Sequence, residues 1–192
     1  MKRTHLRPFV VAAAIVSGLV TGDSTIAQTS APPAVGEHAR DFTLKRLDGA
    51  SIRLADLTKA GPVVLLMLRG WVGYQCPICN RQVGDFLSRA KDFQAAGASV
   101  VLVYPGAADL VQGKAEDFVT GKTLPDRFHF VVDPDLATVN LYHLRWHAPN
   151  ETAYPSTFVF DRQGIVRFVK ISRSHGDRSS AADILKMLES MK

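Results

Sequence analysis

Six apolar residues in a row, Val63-Val64-Leu65-Leu66-Met67-Leu68, follow Pro62 with no polar interruption. Such a run predicts a strand with no solvent face. A strand of that kind needs cover on both sides, which points to a sheet sandwiched between helices. The chain around it has the material for this. Of its 192 residues, 46% are hydrophobic and 21% charged, the balance of a globular domain with a core of useful size.

Further apolar runs repeat the pattern. Ser99 to Tyr104, Phe128 to Val132 and Thr157 to Phe160 read as strands. Between them the spacing turns helical: Pro77 to about Ala96 with Gly97 as its stop, Ala108 to about Val119, and a short helix through Leu141. Asp161-Arg162-Gln163-Gly164 turns the fourth strand into a fifth, Ile165 to Ile171, and Ser179 to Met191 closes the chain as a helix. Upstream, Phe42-Thr43-Leu44 and Ile52-Arg53-Leu54 flank Leu47-Asp48-Gly49-Ala50, a hairpin signal with Asp-Gly at the turn. The expected fold is α/β: a mixed, mostly parallel sheet flanked by helices, with an N-terminal β-hairpin.

The N-terminus has a different composition. Lys2, Arg3 and Arg7 precede the apolar stretch Phe9 to Val20, and Thr25-Ile26-Ala27 offers small residues for cleavage. This order predicts a signal peptide over 1–27, and the apolar stretch is short for a membrane span. An uncleaved anchor is the competing reading. Residues 28–36, rich in Ala, Pro and Ser, read as a flexible lead-in, and 37–192 as one domain. Export places the mature chain in the periplasm. Cleavage would remove three Lys or Arg and one Asp, lowering the net charge from +5 to +3. That balance and the lack of a basic stripe interleaved with aromatics argue against nucleic acid as a partner. No stable membrane insertion is expected after cleavage, and the oligomeric state is open.

Only two cysteines are present, and both fall in Cys76-Pro77-Ile78-Cys79. A disulfide between them would close almost no loop and add little stability through chain entropy. Chemistry explains the pair better than stapling. Pro77 suits the first position of a helix, which puts Cys76 at the helix start. Free N–H groups there favour a thiolate, the nucleophilic form of sulfur. Cys79 lies one turn on, on the same face, placed to displace whatever Cys76 has bound. The catalytic candidates are therefore Cys76 and Cys79, with Pro77 beside them. Zinc would need two further ligands, and His129, His143, His147 and His175 are scattered. No metal and no bound cofactor is expected, since electrons pass through the sulfurs.

Tyr154-Pro155 opens the fourth strand after a long loop, a place for a cis peptide bond. Taken with the Cys-Pro-Ile-Cys junction, this resembles the thioredoxin superfamily. The likeness is to its peroxiredoxin-like (AhpC/TSA, redoxin) branch. It is carried by the hairpin, Val103-Tyr104-Pro105-Gly106, Phe130-Val131-Val132-Asp133-Pro134-Asp135 and Thr157-Phe158-Val159-Phe160-Asp161-Arg162-Gln163-Gly164. The resemblance implies a thioredoxin-like fold, a cis Pro155 packed beside the cysteines, and Tyr154 and Trp71 as neighbours lining the site. It also implies an antioxidant or thiol–disulfide exchange activity on a protein disulfide, a dithiol partner or a peroxide. Peroxiredoxins place Pro seven and Thr three residues before their reactive cysteine, where this chain has Arg69 and Gly73. Their thiolate-steadying arginine falls near Pro155, leaving Arg69 or Arg81 either to supply the positive charge or to serve as surface or ion-pair residues. Thiol peroxidase is thus one alternative function. A copper chaperone of the Sco type, similar in fold but with cysteines spaced by three residues, is another.

Overall fold

A computed structural model describes Met1 and residues 30–191. Apart from Met1, the expected signal segment lies outside the described residues. The elements in chain order are β1 (Thr43–Arg46), β2 (Ser51–Arg53), α1 (Leu54–Ala60), β3 (Val63–Met67), α2 (Pro77–Ser88), α3 (Ala90–Ala95) and β4 (Ser99–Gly106). They continue with α4 (Val111–Val119), β5 (Phe128–Pro134), α5 (Ala137–Leu141), β6 (Ser156–Phe160), β7 (Val166–Ile171) and α6 (Ala181–Glu189).

The strands form one sheet in the order β2-β1-β5-β4-β3-β6-β7, which puts the all-buried β3 near the centre. Alternation along β3 and β4 divides the core in two. Val64, Leu66, Val100 and Leu102 face the side packed by α2, α3, α4 and α6. Val63, Leu65, Val101 and Val103 face the opposite side, with Leu54 of α1, Val139 of α5 and Phe42. Period-two alternation on a strand buried on both faces produces both halves from one apolar run.

The sheet is mixed, and its parallel part is smaller than the sequence led us to expect. Only the pairs β3–β4 and β4–β5 are parallel, while β6 pairs antiparallel with β3, β7 with β6, and β1 with both β2 and β5. The return through α5 and the loop after it brings β6 in from the other end of the sheet. Two helical expectations also change. Leu54 begins α1 rather than extending the hairpin strand, because its side chain is wanted in the core on that face. The helix expected over 77–96 is broken at Arg89, whose backbone (φ −110°, ψ 21°) leaves the helical region. The break lets Phe86 and Phe93 stack with centroids 5.3 Å apart, far closer than the ~10 Å rise that seven helical residues would put between them. At the end of α3, Gly97 (φ +68°) closes a Schellman turn, with Ala98 N–H donating to Phe93 O at 3.0 Å and Gly97 N–H to Gln94 O at 2.9 Å.

The end of the lead-in is tied down rather than free. Gly36 N–H donates to Val166 O at 2.9 Å, Val166 N–H to Glu37 O at 2.9 Å, and Pro33 is buried. The hairpin turn is built as read: Gly49 takes φ +84° and donates to Arg46 O at 3.0 Å.

Phe93 is fully buried, stacked on Phe86 and edge-on to Phe128 at 6.0 Å. Phe93→Ala is expected to destabilise the domain by about 3–5 kcal/mol, the cost of a large unfilled cavity, read as a lowered urea midpoint.

Candidate active site

The chain leaves β3 at Leu68 and reaches α2 through residues 69–76. This loop is docked on the end of β4. Trp71 N–H donates to Pro105 O at 3.2 Å, and Gly70 (φ +70°) presses so close to the Pro105 carbonyl that a Cβ would collide with it. Gln75 is clamped through its side-chain amide: Tyr104 O–H donates to Gln75 Oε1 at 2.8 Å, and Gln75 Nε2 donates to Lys114 O at 2.8 Å. Burial raises the Tyr104 phenol, so it stays a neutral donor. The residue before Cys76 is thus fixed to both β4 and α4.

Cys76 is the N-cap of α2, Pro77 its first residue, and Cys76 Sγ accepts the Cys79 N–H at 3.3 Å. Both cysteines are free thiols and almost fully buried, at 3% and 1% exposure. Tyr74 and Pro77, on either side of Cys76, are exposed. The two sulfurs are driven apart in acidity. The hydrogen bond from the Cys79 thiol pulls Cys76 down to about 5, against burial and aided by the Cys79 and Ile78 amides and the Arg178 charge. The same shared hydrogen bond, burial and the adjacent charge push Cys79 well up. One proton between two sulfurs leaves a thiolate on Cys76 and a thiol on Cys79 at neutral pH.

Cys79 Sγ has its own surroundings. Arg69 N–H approaches it at 3.5 Å, and the Arg178 guanidinium at 3.7 and 3.8 Å through Nη1 and Nη2. Neither arginine suggested by the sequence puts its guanidinium on the sulfurs. Arg81 is exposed. Arg69 is buried and pairs with Glu151 through two hydrogen bonds of 2.5 and 2.9 Å, while also donating to Tyr74 Oη at 2.6 Å. The cation at the sulfurs is Arg178, which lies 99 positions from Cys79. The only sequence trace of it was a basic loop, Arg173 to Arg178, just before the last helix.

That loop crosses to the site because several side chains hold it. Arg178 Nη1 also donates to Gln82 Oε1 at 3.2 Å, one turn beyond Cys79 on α2, and Gln82 Nε2 reaches Ser179 O. His175 Nε2 meets Glu151 Oε1 at 2.8 Å, and Arg178 Nε donates to His175 O at 2.9 Å. Tyr154 stacks on Trp146 at 4.8 Å, with the Arg173 guanidinium 4.8 Å from the Tyr154 ring centre and His175 tilted on Trp146 at 5.1 Å. Tyr154 therefore supports the loop that carries Arg178. Trp71 packs against the core cluster that contains both cysteines and carries Lys114 Nζ over its ring at 4.6 Å.

Pro155 differs from expectation. No peptide bond among the described residues is cis, so Tyr154–Pro155 is trans. The residues on either side of the bond are tied into the fold: Tyr154 N–H donates to Leu144 O and Pro155 O accepts Ser172 N–H, both at 2.8 Å. Pro155 is buried at the head of β6, beside the end of β3 through the Met67–Ser156 pair. Thr152 adds a hydroxyl bond to Arg69 O. Gly73, where the peroxiredoxin pattern has Thr, takes φ +101°, a conformation that strains a β-branched residue. Among the described residues, no group of three or more His, Cys, Asp or Glu is arranged to hold a metal.

The AhpC/TSA family model matches residues 35–169, which takes in β1 to β6, most of β7, both cysteines and the Arg69–Glu151 pair. The chain belongs to the AhpC/TSA family. A relative in this comparison is the thiol-disulfide oxidoreductase ResA of Geobacillus thermodenitrificans, 29% identical over 160 residues, covering 83% of this chain and 79% of that protein. Among solved structures, this AhpC/TSA protein is similar to the peroxidoxin BcpB of Mycobacterium tuberculosis. The TM-score is 0.65 and the identity 22%, over 83% of this chain and 99% of that one. It is also similar to the reduced 2-Cys peroxiredoxin of Plasmodium vivax, with TM-score 0.65 and 14% identity over 83% and 82%. These structural likenesses establish the thioredoxin-like fold of the peroxiredoxins.

Two measurements follow from this geometry. In the reduced protein, thiolate absorbance in the ultraviolet should rise by one sulfur with a midpoint near pH 5, far below the ordinary thiol value, and by the second only at strongly alkaline pH. Glu151→Gln should cost about 3–5 kcal/mol in chemical denaturation, because it leaves the buried Arg69 charge uncompensated.

Proposed function

We propose that the chain is an exported thiol–disulfide oxidoreductase in which Cys76 attacks and Cys79 resolves. The protein is a thiol-based oxidoreductase, and its two cysteines are the couple we assign to that activity. The observation that carries the assignment is the capped sulfur: Cys76 Sγ accepts the Cys79 amide at the N-terminus of α2 and holds a stabilised negative charge there. A thiolate at pH 7 with a protonated partner one turn away is the arrangement that exchange needs. Cys76 attacks one sulfur of a substrate disulfide, giving a mixed disulfide and a released thiol. Cys79 then displaces the second sulfur and closes the internal disulfide.

Disulfide exchange is favoured over hydroperoxide reduction for two reasons. The relative ResA is named as a thiol-disulfide oxidoreductase. The loop before Cys76 carries Gly73 and Arg69 where a peroxiredoxin carries Thr and Pro, and Arg69 spends its guanidinium on Glu151. The partner is then a protein disulfide or dithiol. Export is supported by the basic, apolar and small-residue succession at the N-terminus. Among the described residues, no helix is long and apolar enough to cross a membrane.

The test compares insulin disulfide reduction with hydrogen peroxide consumption in the wild type, Cys76→Ser and Cys79→Ser. The wild type is expected to reduce insulin and Cys76→Ser to lose that activity. Cys79→Ser should stall as a mixed disulfide visible by mass. Rapid peroxide turnover without insulin reduction would replace this reading with the peroxidase one.

A further inference from the structure

Three N–H groups converge on Cys79 Sγ: the Arg69 amide at 3.5 Å and Arg178 Nη1 and Nη2 at 3.7 and 3.8 Å. The sulfur of Cys76 takes a different donor, the Cys79 amide. The division is informative. A neutral thiol is a weak acceptor and gains little from a guanidinium, whereas a thiolate gains a charge-assisted bond. The donors around Cys79 therefore suit a state in which Cys79, rather than Cys76, carries the negative charge.

Such a state arises once in the exchange cycle. In the resting dithiol the charge sits on Cys76, whose proximity keeps Cys79 protonated. When Cys76 enters a mixed disulfide, that charge and its hydrogen bond disappear. The Arg69 amide and the Arg178 guanidinium remain.

We propose that Arg178 is a catalytic residue of the resolving step, stabilising the Cys79 thiolate as it attacks the mixed disulfide on Cys76. The proposal rests on the assignment of the two cysteines above. In this step the Cys79 S–H bond breaks and its proton passes through solvent to the departing sulfur. A bond forms between Cys79 Sγ and Cys76 Sγ while the bond from Cys76 to the substrate sulfur breaks. Cys79 is oxidised in this step and the substrate sulfur is reduced and leaves as a thiol, Cys76 having been oxidised already when the mixed disulfide formed.

Arg178 is placed for this by contacts on both of its flanks. Its Nη1 shares Gln82 Oε1, its Nε is fixed on His175 O, and His175 is fixed on Glu151. Ser172 Oγ donates to Asp177 O at 2.6 Å, and Lys170 pairs with Asp177 at 2.7 Å, closing the loop on itself. A guanidinium held this way adds its charge without having to be ordered during the reaction.

A symmetric aromatic disulfide separates the two steps, because attack by Cys76 releases the first aryl thiol and resolution by Cys79 the second. In stopped-flow at neutral pH, Arg178→Gln should slow the second release by about tenfold or more, the worth of a hydrogen bond to a charged group. The first release should change by less than about threefold, since Cys76 stays ionised and a higher thiol pKa makes its thiolate more nucleophilic. Arg178→Lys should recover part of the second rate by restoring the charge alone. Arg178→Met serves as a second uncharged variant with a similar stem should the glutamine form fail to fold. An unchanged second release in the uncharged variants overturns the proposal. So does equal slowing of both releases that Arg178→Lys does not relieve, the mark of a structural role. Absence of the first release in the wild type would instead overturn the assignment of the cysteine couple.

Discussion

A negative sulfur that is 3% exposed is expensive unless its surroundings compensate the charge, and the site is built to supply that compensation. The charge on Cys76 is met by the amide and thiol of Cys79 and by the amides at the start of α2, with Arg178 as the nearby cation. Each of these donors is useful only at hydrogen-bond range. The surrounding architecture can be understood as the means of holding them there. β3 and β4 run parallel in register from Val63↔Ser99 to Met67↔Val103, so the loops leaving them emerge at the same end of the sheet. The Pro105 carbonyl receives the loop at Gly70 and Trp71, and Tyr104 receives Gln75. Before the chain reaches Cys76, the loop is held through its backbone at Trp71 and through the side chain of Gln75.

The second half of the site comes from the far end of the sequence. β6 and β7 pair antiparallel beside β3, and the loop after β7 returns over the start of α2. The buried Arg69–Glu151 ion pair joins this loop system to the end of β3. Glu151 is a shared acceptor: it takes Arg69 on one side and His175 on the other. The Trp146–Tyr154 stack and the Arg173 guanidinium give the same loop an apolar and cationic support. Removing one of these groups would loosen Arg178 without touching either cysteine, so the site depends on residues distant from its chemistry.

What was legible in the sequence follows from this division. The apolar run at 63–68, the helical spacing after Pro77 and the Asp-Gly turn are local signals, and each produced its element. Cys76 at a helix start could be read because proline at N1 has a purely local cause. The break at Arg89 was invisible, since no glycine or proline marks it; it is set by the stacking of Phe86 on Phe93 in the finished core. α1 was missed for a similar reason, with Leu54 answering to tertiary packing rather than strand alternation. Arg69 could be read as a cation for the site or as an ion-pair residue, but its partner Glu151 lies 82 residues away and could not be named from the sequence. Arg178 was out of reach in the same way, since its place depends on an ion pair, an aromatic stack and two antiparallel strands at once.

The same reasoning explains how a thioredoxin-like sheet can carry a site that differs from the peroxiredoxin pattern. The sheet and α2 fix one thing, a cysteine at a helix N-terminus, and that needs little beyond local chemistry. The loops at 69–75, 145–155 and 172–178 fix the rest. With φ +101° at Gly73, the first of these loops takes a backbone conformation that a Thr there would strain. With Arg69 committed to Glu151, the cation must come from another loop, and it arrives beside Cys79. A guanidinium in that position touches the second sulfur, so under the assignment proposed above the charge lies beside the resolving cysteine as well as near the attacking one. A two-cysteine exchange cycle can use such a placement, because each sulfur must be a thiolate once and the helix start provides for only one of them.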